Sequence, residues 1–439
     1  MDAKGQFAAD VVRRLRAAGF ETYLAGGCVR DRLLGREPGD YDVATAAPPE
    51  AVRKLFRRTV GVGAAFGVML VLEDDYQFEV ATFRSDDAYI DGRRPTAVHW
   101  GSAEKDAQRR DFTINALFED PESGEVIDFV GGRADLRAGL VRAIGDADAR
   151  IKEDRLRMLR AVRFAARFDF AIAPDTMVAI RAAAPSVTDM AAERIGDEIV
   201  KMLTEGRAKR AFALLDETGL LPIVLPEIAA MHGVDQTPDH HPEGDVWAHT
   251  LLLLDQIPAG AAETLALGCL LHDVAKPVTI ERRDDGRITF YGHTDRGAEM
   301  AVEIVQRLKR SRETWERVHY LVKNHLRLVS APEMRLSTLK RMLAEGAFDE
   351  LLHLARIDAL ASSGDLQFVL FCERRRAELA AEVKPPRLLS GRDLMAMGFE
   401  PGPDLGQSLR ALETAQLEGE VTTREEAERW VRQRRGSPT

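Results

Sequence analysis

Cysteine is scarce in this chain: three residues in 439, Cys28, Cys269 and Cys372, at spacings that pair none of them. That excludes a disulfide framework and a cysteine-based zinc motif, and it fits a reducing cytoplasm. Long apolar runs are missing too. None approaches the roughly 18 residues that a membrane-spanning helix requires, so no membrane is expected as a partner. The opening stretch, MDAKGQFAADVVRRLRAAGF, lacks the apolar centre of a secretory signal, which again points to the cytoplasm. Positive charge is in deficit: 61 Lys and Arg stand against 71 Asp and Glu, a net charge of −10. A general polyanion-binding surface is thereby excluded, and contact with nucleic acid demands arginines clustered locally on an acidic background. Neither repeats nor low-complexity tracts occur.

What is present is the composition of a globular protein, 45% hydrophobic and 30% charged, with length for about three domains. Residues 1–140 mix short β-like runs (TYLAGG, GVMLVLE, QFEVATF) with helical stretches. From 141 onward apolar residues recur at three- and four-residue spacing, as in IKEDRLRMLRAVRFAARF, ERIGDEIVKMLTEG and TDRGAEMAVEIVQRLKR. Breaks fall at the Pro-, Asp- and His-rich HGVDQTPDHHPEGD (232–245) and at EVKPPRLLSGRDL (382–394). The expected class is α+β, a head with a small mixed sheet and helices followed by an all-α body. The expected divisions are 1–140, 141–230, 231–380 and 381–439.

In YLAGGCVRDRLLGREPGDYDVAT (23–45) a strand runs into Gly26 and Gly27 and then a helix. Bare glycine lets an anion approach a helix N-terminus, whose dipole favours negative charge. Arg30, on the first turn, adds a charged donor. Asp40 and Asp42 stand two apart at the start of a strand, where both carboxylates share a face and can grip one divalent ion. Glu79, in QFEVATFR, is a third carboxylate able to point there. Carboxylates plus phosphates make a Mg²⁺ environment suited to phosphoryl transfer. Taken alone, glycines also end strands, aspartates also start turns, and Glu79 also suits a surface position. The motifs that follow decide between these readings.

In order, GGCVRD, GDYDVAT, FEVATFR, DGRRP, RRDFTINAL and EDRLRMLRAVRFAARF resemble the tRNA nucleotidyltransferases and bacterial poly(A) polymerases, the class II branch of the polymerase-β-like nucleotidyltransferases. The resemblance covers 23–168, continues through ERIGDEIVKML (193–203) and returns in the tail. It implies catalysis at Asp40, Asp42 and Glu79 with Mg²⁺. Nucleotide contacts are implied at Gly26, Gly27, Arg30 and Arg110, with Asp111 near the ribose. Asp154, Arg157, Arg160 and Arg163 recur every third residue, a charged stripe on a helix whose other half carries Leu156, Leu159, Val162 and Ala166. A solvated face would look the same, but the residue types add chemistry. Aspartate accepts from an exocyclic amine and arginine donates to a ring nitrogen or carbonyl. Cytosine and adenine both offer an amine beside an unprotonated ring nitrogen, whereas uracil and guanine reverse the pattern. A site built on such a pair can discriminate by about 10⁴. The resemblance assigns base reading to Asp154 and Arg157, and triphosphate or base contacts to Arg160 and Arg163. In the family, the loop RSDDAYIDGRRPTAVHW (84–100) serves the switch from C to A addition.

A second set, His249 in HHPEGDVWAHT, His272 and Asp273 in LGCLLHDVAKP, and Asp358 in LLHLARIDAL, resembles the HD phosphohydrolase fold, which holds metal in a helical bundle. The apolar flanks of His272 and Asp273 imply burial, where an aspartate needs a partner or a metal. His293 and His325 fit HD proteins with more ligands. The implied cofactor is a second divalent ion: manganese, nickel or magnesium. The tail RLLSGRDLMAMGFEPGPDLGQSLRALETAQLEGEV (387–421) resembles the end of many CCA-adding enzymes, which grips tRNA through shape and phosphates. Basic stretches at 307–312, 374–376, 387 and 432–435 read equally as phosphate contacts or solvated faces. The activity implied is template-independent addition of C and A to tRNA 3′ ends from CTP and ATP, with pyrophosphate released and no DNA as partner. The alternatives are a poly(A) polymerase or A-adding enzyme of the same family, and an HD phosphohydrolase acting on nucleotide or RNA phosphoesters.

Overall fold

A computed structural model describes residues 2–63, 67–73, 76–86, 98–236, 244–379 and 385–435. The chain divides into two compact units, Met1–Ala229 and Ala230–Thr439. In the first, the head carries strands β1 (Thr22–Ala25), β2 (Asp42–Thr45), β3 (Thr59–Gly63), β4 (Val68–Glu73), β5 (Tyr76–Thr82), β6 (Arg84–Asp86), β7 (Val98–Trp100), β8 (Leu117–Glu119) and β9 (Val126–Asp128), ahead of a short parallel pair, Leu140–Val141 with Ala171–Ile172. Seven of them form one sheet in the order β3-β4-β5-β2-β1-β8-β9. It is mixed, as expected: β2 and β5 run parallel, the other neighbours antiparallel. Strands β6 and β7 pair separately. The DGRRP motif and the rest of the loop between them lie outside the described residues.

Strand β5 alternates, with Phe78, Val80 and Thr82 buried and Gln77 and Glu79 exposed, the period of two that a pleated strand imposes. Its register sets Val80 beside Val43 of β2. Asp42 and Glu79, one residue earlier on each strand, therefore share the opposite, open face. The first helix, Ala3–Ala17, buries Ala8, Val11, Val12 and Leu15. Ala25, Ala44, Phe83 and Phe118 pack with Ala103 and Ala107 of helix Ala103–Arg109.

The run expected as one helix over 151–168 is two, Ala147–Glu153 and Leu156–Phe168. Asp154 lies between them with φ −146° and ψ 105°. Its Oδ1 accepts the Leu156 N–H at 3.1 Å, the local competition by which aspartate interrupts helices. The second helix also departs from the half-solvated picture. Leu156, Leu159, Val162 and Ala166 are buried as the pattern predicts, but so are Arg157 and Arg163. Their face meets carboxylates rather than water.

The second unit is largely helical, with Val246–Asp255, Glu263–Leu271, His293–Arg307, Arg312–Asn324 and Phe348–Ala361 among its helices and one short hairpin, Glu281–Arg282 with Ile288–Thr289. Its last three helices, Gly391–Ala396, Pro403–Glu418 and Arg424–Arg435, have a core of their own around Leu394, Leu412 and Val431. Ser390 and Asp393 form a capping box at the first of them. All three cysteines are buried and unpaired, and burial pushes the thiols of Cys28 and Cys372 up to about 11. Among the described residues, no helix is long and apolar enough to cross a membrane.

Candidate active site and metal centre

Gly26, between β1 and helix Gly27–Leu33, has a φ of +69°. A Cβ there would lie 2.9 Å from Arg110 Nη1 and 3.9 Å from Asp42 Oδ2. Both the left-handed backbone and the close approach demand glycine, and they bring three of the expected residues to one point. The Asp42 carboxyl is pushed up to about 6, first by desolvation and then by the charge of Glu79; Arg110 opposes, and Asp40 adds to the rise. Glu79 and Asp40 both act on Asp42 through their charge, and carboxylate oxygens are the hard donors that divalent ions take. Asp40 precedes β2 instead of lying in it. Its exposed side chain takes Lys4 Nζ at 2.7 Å, so the shared-strand-face argument applies to Asp42 and not to Asp40.

Arg110 is oriented by Asp106, whose Oδ2 accepts from Nε at 3.1 Å and Nη2 at 3.0 Å, and by the Asn115 carbonyl, which accepts from Nη1 at 3.0 Å. Arg30, expected as a phosphate donor, does something else. Its buried guanidinium donates to Asp31 Oδ1 at 2.8 Å and to the Asn115 side chain, and lies 4.4 Å from the Phe168 ring centroid. It fastens helix Gly27–Leu33 to helix Leu156–Phe168. Asp111 is equally occupied. Its Oδ2 accepts from Arg160 Nε at 2.8 Å and Nη2 at 2.6 Å, while Oδ1 accepts from Asn115 Nδ2 and the Phe112 N–H. Burial would raise this carboxyl, but Arg160 and those donors hold it down at about 2. Hydrogen bonds thus run unbroken from Arg30 through Asn115 and Asp111 to Arg160.

At the break between helices, Asp154 takes a two-pronged contact from Arg194, Nη1 to Oδ1 at 3.1 Å and Nη2 to Oδ2 at 2.9 Å. One turn on, Arg157 Nη1 donates to Glu153 Oε2 at 2.7 Å and to the Arg150 carbonyl at 2.8 Å, and Nη2 donates to the Arg109 carbonyl at 3.3 Å. Arg150 holds the carbonyls of Gln108 and Arg110, so the RRD segment is clamped to these helices. Arg163, expected at the nucleotide, is placed elsewhere. It is buried against Glu198 at 2.7 Å and Glu205 at 3.1 Å; breaking such a pair would leave a buried charge uncompensated. Asp106, Asn115, Glu153 and Arg194 escaped the sequence reading; Asp106 and Glu153 stand four residues before the arginines they hold, a helical spacing that could have found them, whereas Asn115 and Arg194 reach Arg30 and Asp154 from far along the chain.

In the second unit the four expected residues meet. His249 Nε2 lies 3.3 Å from His272 Nε2 and 3.1 Å from Asp358 Oδ1, and His272 Nε2 lies 3.1 Å from Asp273 Oδ2. His293 and His325 join them, with Nε2 atoms 3.6 and 3.8 Å from Asp273 Oδ1. Two ligand sets result, His249–His272–Asp273 and Asp273–His293–His325, each with atoms within 4.8 Å of one another. His272, His293 and His325 each place Nδ1 on the carbonyl three residues earlier, those of Cys269, Phe290 and Val322. Nδ1 on a carbonyl turns Nε2 inward, the atom that a metal takes from a neutral ring. Burial opposes ionisation of Asp273, yet His272 and Lys276 hold its carboxyl well below the usual range. Asp358 is likewise held low against burial by His249 and His272, and burial pushes His325 down to about 4. Lys276 was missed in the sequence; its Nζ lies 2.6 Å from Asp273 Oδ2, and the one signal was its place three residues on in HDVAK. A cavity of about 760 Å³ opens here, lined by Asp273, Lys276, His293, His325 and Asp358 together with Phe290 and Tyr291. Mixed nitrogen and oxygen donors fit a divalent metal.

Three family profiles match in chain order: the Poly A polymerase head domain over 22–142, the probable RNA and SrmB- binding site of polymerase A over 169–231, and the HD domain over 245–362. The chain is 45% identical to the CCA-adding enzyme of Geobacillus thermodenitrificans over 216 residues, 49% of the chain and 53%, about half, of that relative. Identity to the CCA-adding enzyme of Levilactobacillus brevis is 32% over 424 residues, 95% of this chain and 94% of the relative. The structure of the Bacillus stearothermophilus CCA-adding enzyme in complex with CTP matches with a TM-score of 0.76 and 28% identity, covering 99% of this chain and 98% of that one. A Thermotoga maritima CCA-adding enzyme complexed with tRNA shares the fold, at a TM-score of 0.60 and 20% identity. With a mixed-sheet head, a helical body and an HD domain in the expected order, and with relatedness running almost end to end, the chain belongs to the family of CCA-adding enzymes.

Proposed function

We propose that the chain adds C, C and A in turn to the 3′ end of tRNA, using CTP and ATP and releasing pyrophosphate. The observation that carries this is the meeting of Gly26, Asp42 and Arg110 at one point, in the unit that also holds the Asp154–Arg157 turn. Residues 1–140 act as the catalytic head, 141–230 select the nucleotide, 231–380 form the HD domain and 381–439 hold tRNA. Asp40, Asp42 and Glu79 hold magnesium, which when bound aligns and neutralises the reacting phosphate oxygens. Gly26 and Gly27 admit the triphosphate, and Arg110 meets it beside Asp42. The tRNA 3′-hydroxyl attacks the α-phosphorus in line, the bond to the bridging oxygen breaks, and pyrophosphate carries away the charge. Asp154 accepts from the exocyclic amine of C or A. Arg157 has three of its five N–H donors engaged among the described residues, and the rest serve the adjacent ring nitrogen. U and G leave both groups unpaired. Asp111 and Arg160 brace that wall.

The test is a tRNA ending before CCA, incubated with purified protein, magnesium, CTP and ATP. Three added nucleotides followed by arrest are expected. Long A tails with CTP ignored would overturn the proposal in favour of a poly(A) polymerase.

The cluster around Asp273 favours a second activity. His249, His272, Asp273 and Asp358 hold manganese, nickel or magnesium and hydrolyse a phosphoester that reaches the adjoining cavity. Hydrolysis of nucleotide phosphoesters that survives Asp42→Ala and vanishes with His272→Ala is the expected result; none in the metal-loaded protein makes the site structural. Three buried, unpaired cysteines support a reducing, cytoplasmic setting.

A further inference from the structure

A carboxylate offers about four lone-pair positions, and three of those on Asp154 are filled. Oδ1 accepts from the Leu156 N–H and from Arg194 Nη1; Oδ2 accepts from Arg194 Nη2. Among the described residues one position is left, on Oδ2. The backbone of Asp154 is extended, and the Leu156 N–H holds only Oδ1, which by itself does not fix the plane of the carboxylate. The guanidinium fork does, because two parallel N–H···O contacts set the plane of a carboxylate as well as its place. Arg194 itself comes from a different element, helix Ala192–Thr204. That helix is fastened to Leu156–Phe168 by the buried pair of Glu198 with Arg163, so the fork stands on a fixed base.

We infer that Arg194 is a positioning residue for base selection, pinning Asp154 so that a single acceptor, on Oδ2, faces the nucleotide. The inference rests on Asp154 being the base reader. One fixed acceptor matches one amine hydrogen of C or A. A carboxylate free to turn would instead reach the ring N–H of uracil, which lies beside the position of the amine, and accept from that. Arg194 therefore acts against U more than it acts for C.

The experiment measures kcat and KM separately for CTP and for UTP on a tRNA ending before CCA, with the full chain and magnesium. Arg194→Met lowers the preference for C over U by about tenfold or more, the scale of losing one hydrogen bond to a charged group. UTP use rises while CTP use falls. Arg194→Lys keeps the charge but not the fork, and falls nearly as far; it also carries the test should Arg194→Met fail to fold. Equal losses for both nucleotides would make Arg194 merely structural and overturn the inference. So would a lower KM for CTP with the preference kept, which would mean that Arg194 only occupies the place of the base. Asp154→Ala, measured alongside, separates the two layers. Selectivity lost there but kept in both Arg194 variants overturns the role of Arg194 alone, and selectivity kept in all three overturns base reading by Asp154.

Discussion

Around Asp42 the charges of Glu79 and Asp40 outweigh that of Arg110; around Asp273 the neighbours are imidazoles and an ammonium group. In the first cluster desolvation, with the charge of Glu79 added, pushes Asp42 up to about 6. The second is balanced from within, and Asp273 and Asp358 are held low. A self-repelling cluster at the open end of two strands gains most from a cation that arrives with its anionic substrate. A buried cluster whose ring nitrogens are already turned inward suits an ion that stays. The same residue type, aspartate, thus suits exchange in one unit and retention in the other, and the surrounding side chains make the difference.

That contrast breaks most sharply at Asp42. Asp42→Ala lowers nucleotide addition by at least about 10³-fold, beyond the cost of losing one stabilising donor from an active site, and leaves the metal content of the second unit unchanged by elemental analysis. His272→Ala does the reverse: metal retained through gel filtration falls at least about tenfold, while addition to tRNA stays close to that of the parent protein. Gly26→Ala sharpens the picture within the head. Its positive φ costs about 1–2 kcal/mol, and the new methyl group displaces Arg110, so that nucleotide addition slows with the second unit's metal retained.

The smallest effects are in acid–base behaviour, read as stability against pH in the presence of a chelator. The folded-state value of Asp42 lies above the ordinary 3.8, so the folded chain binds the extra proton between about pH 4 and 6. Stability from this group therefore falls as pH rises through that window, and Asp42→Asn gains about 1 kcal/mol above pH 6 after allowance for solvent screening. His325, pushed from 6.5 down to about 4, has the opposite sign: the unfolded chain takes the proton first, and stability is lost as pH falls from the ordinary imidazole range towards 4. His325→Gln flattens that acid limb. Magnesium in excess of the chelator removes the Asp42 effect.

Local order made much of this legible in the sequence. Strand β5 alternates, the glycines end a strand, and HDVAK sits in an apolar setting, so the head and the His272–Asp273 pair stand out from their neighbours, whereas His249 and Asp358 follow from the family resemblance. Where the sequence misled, the cause was a partner that periodicity does not show, whether next door or far along the chain. The three-residue spacing of Asp154, Arg157, Arg160 and Arg163 looks like one helical stripe, but Asp154 caps the helix that follows it. Arg30 and Arg163 are arginines in suitable motifs, yet Asp31, Asn115, Glu198 and Glu205 claim them. Periodicity reports which face is apolar; it does not report which buried cation already has a carboxylate.

The distribution of sulfur in the molecule has a practical consequence. Cys28 lies in the first unit, Cys269 and Cys372 in the second, and each is 0–1% exposed. A maleimide or similar alkylating probe therefore finds no open thiol while the chain is folded. Labelling followed residue by residue during a denaturant ramp turns these sulfurs into native reporters that reveal whether the two units come apart together or one after the other.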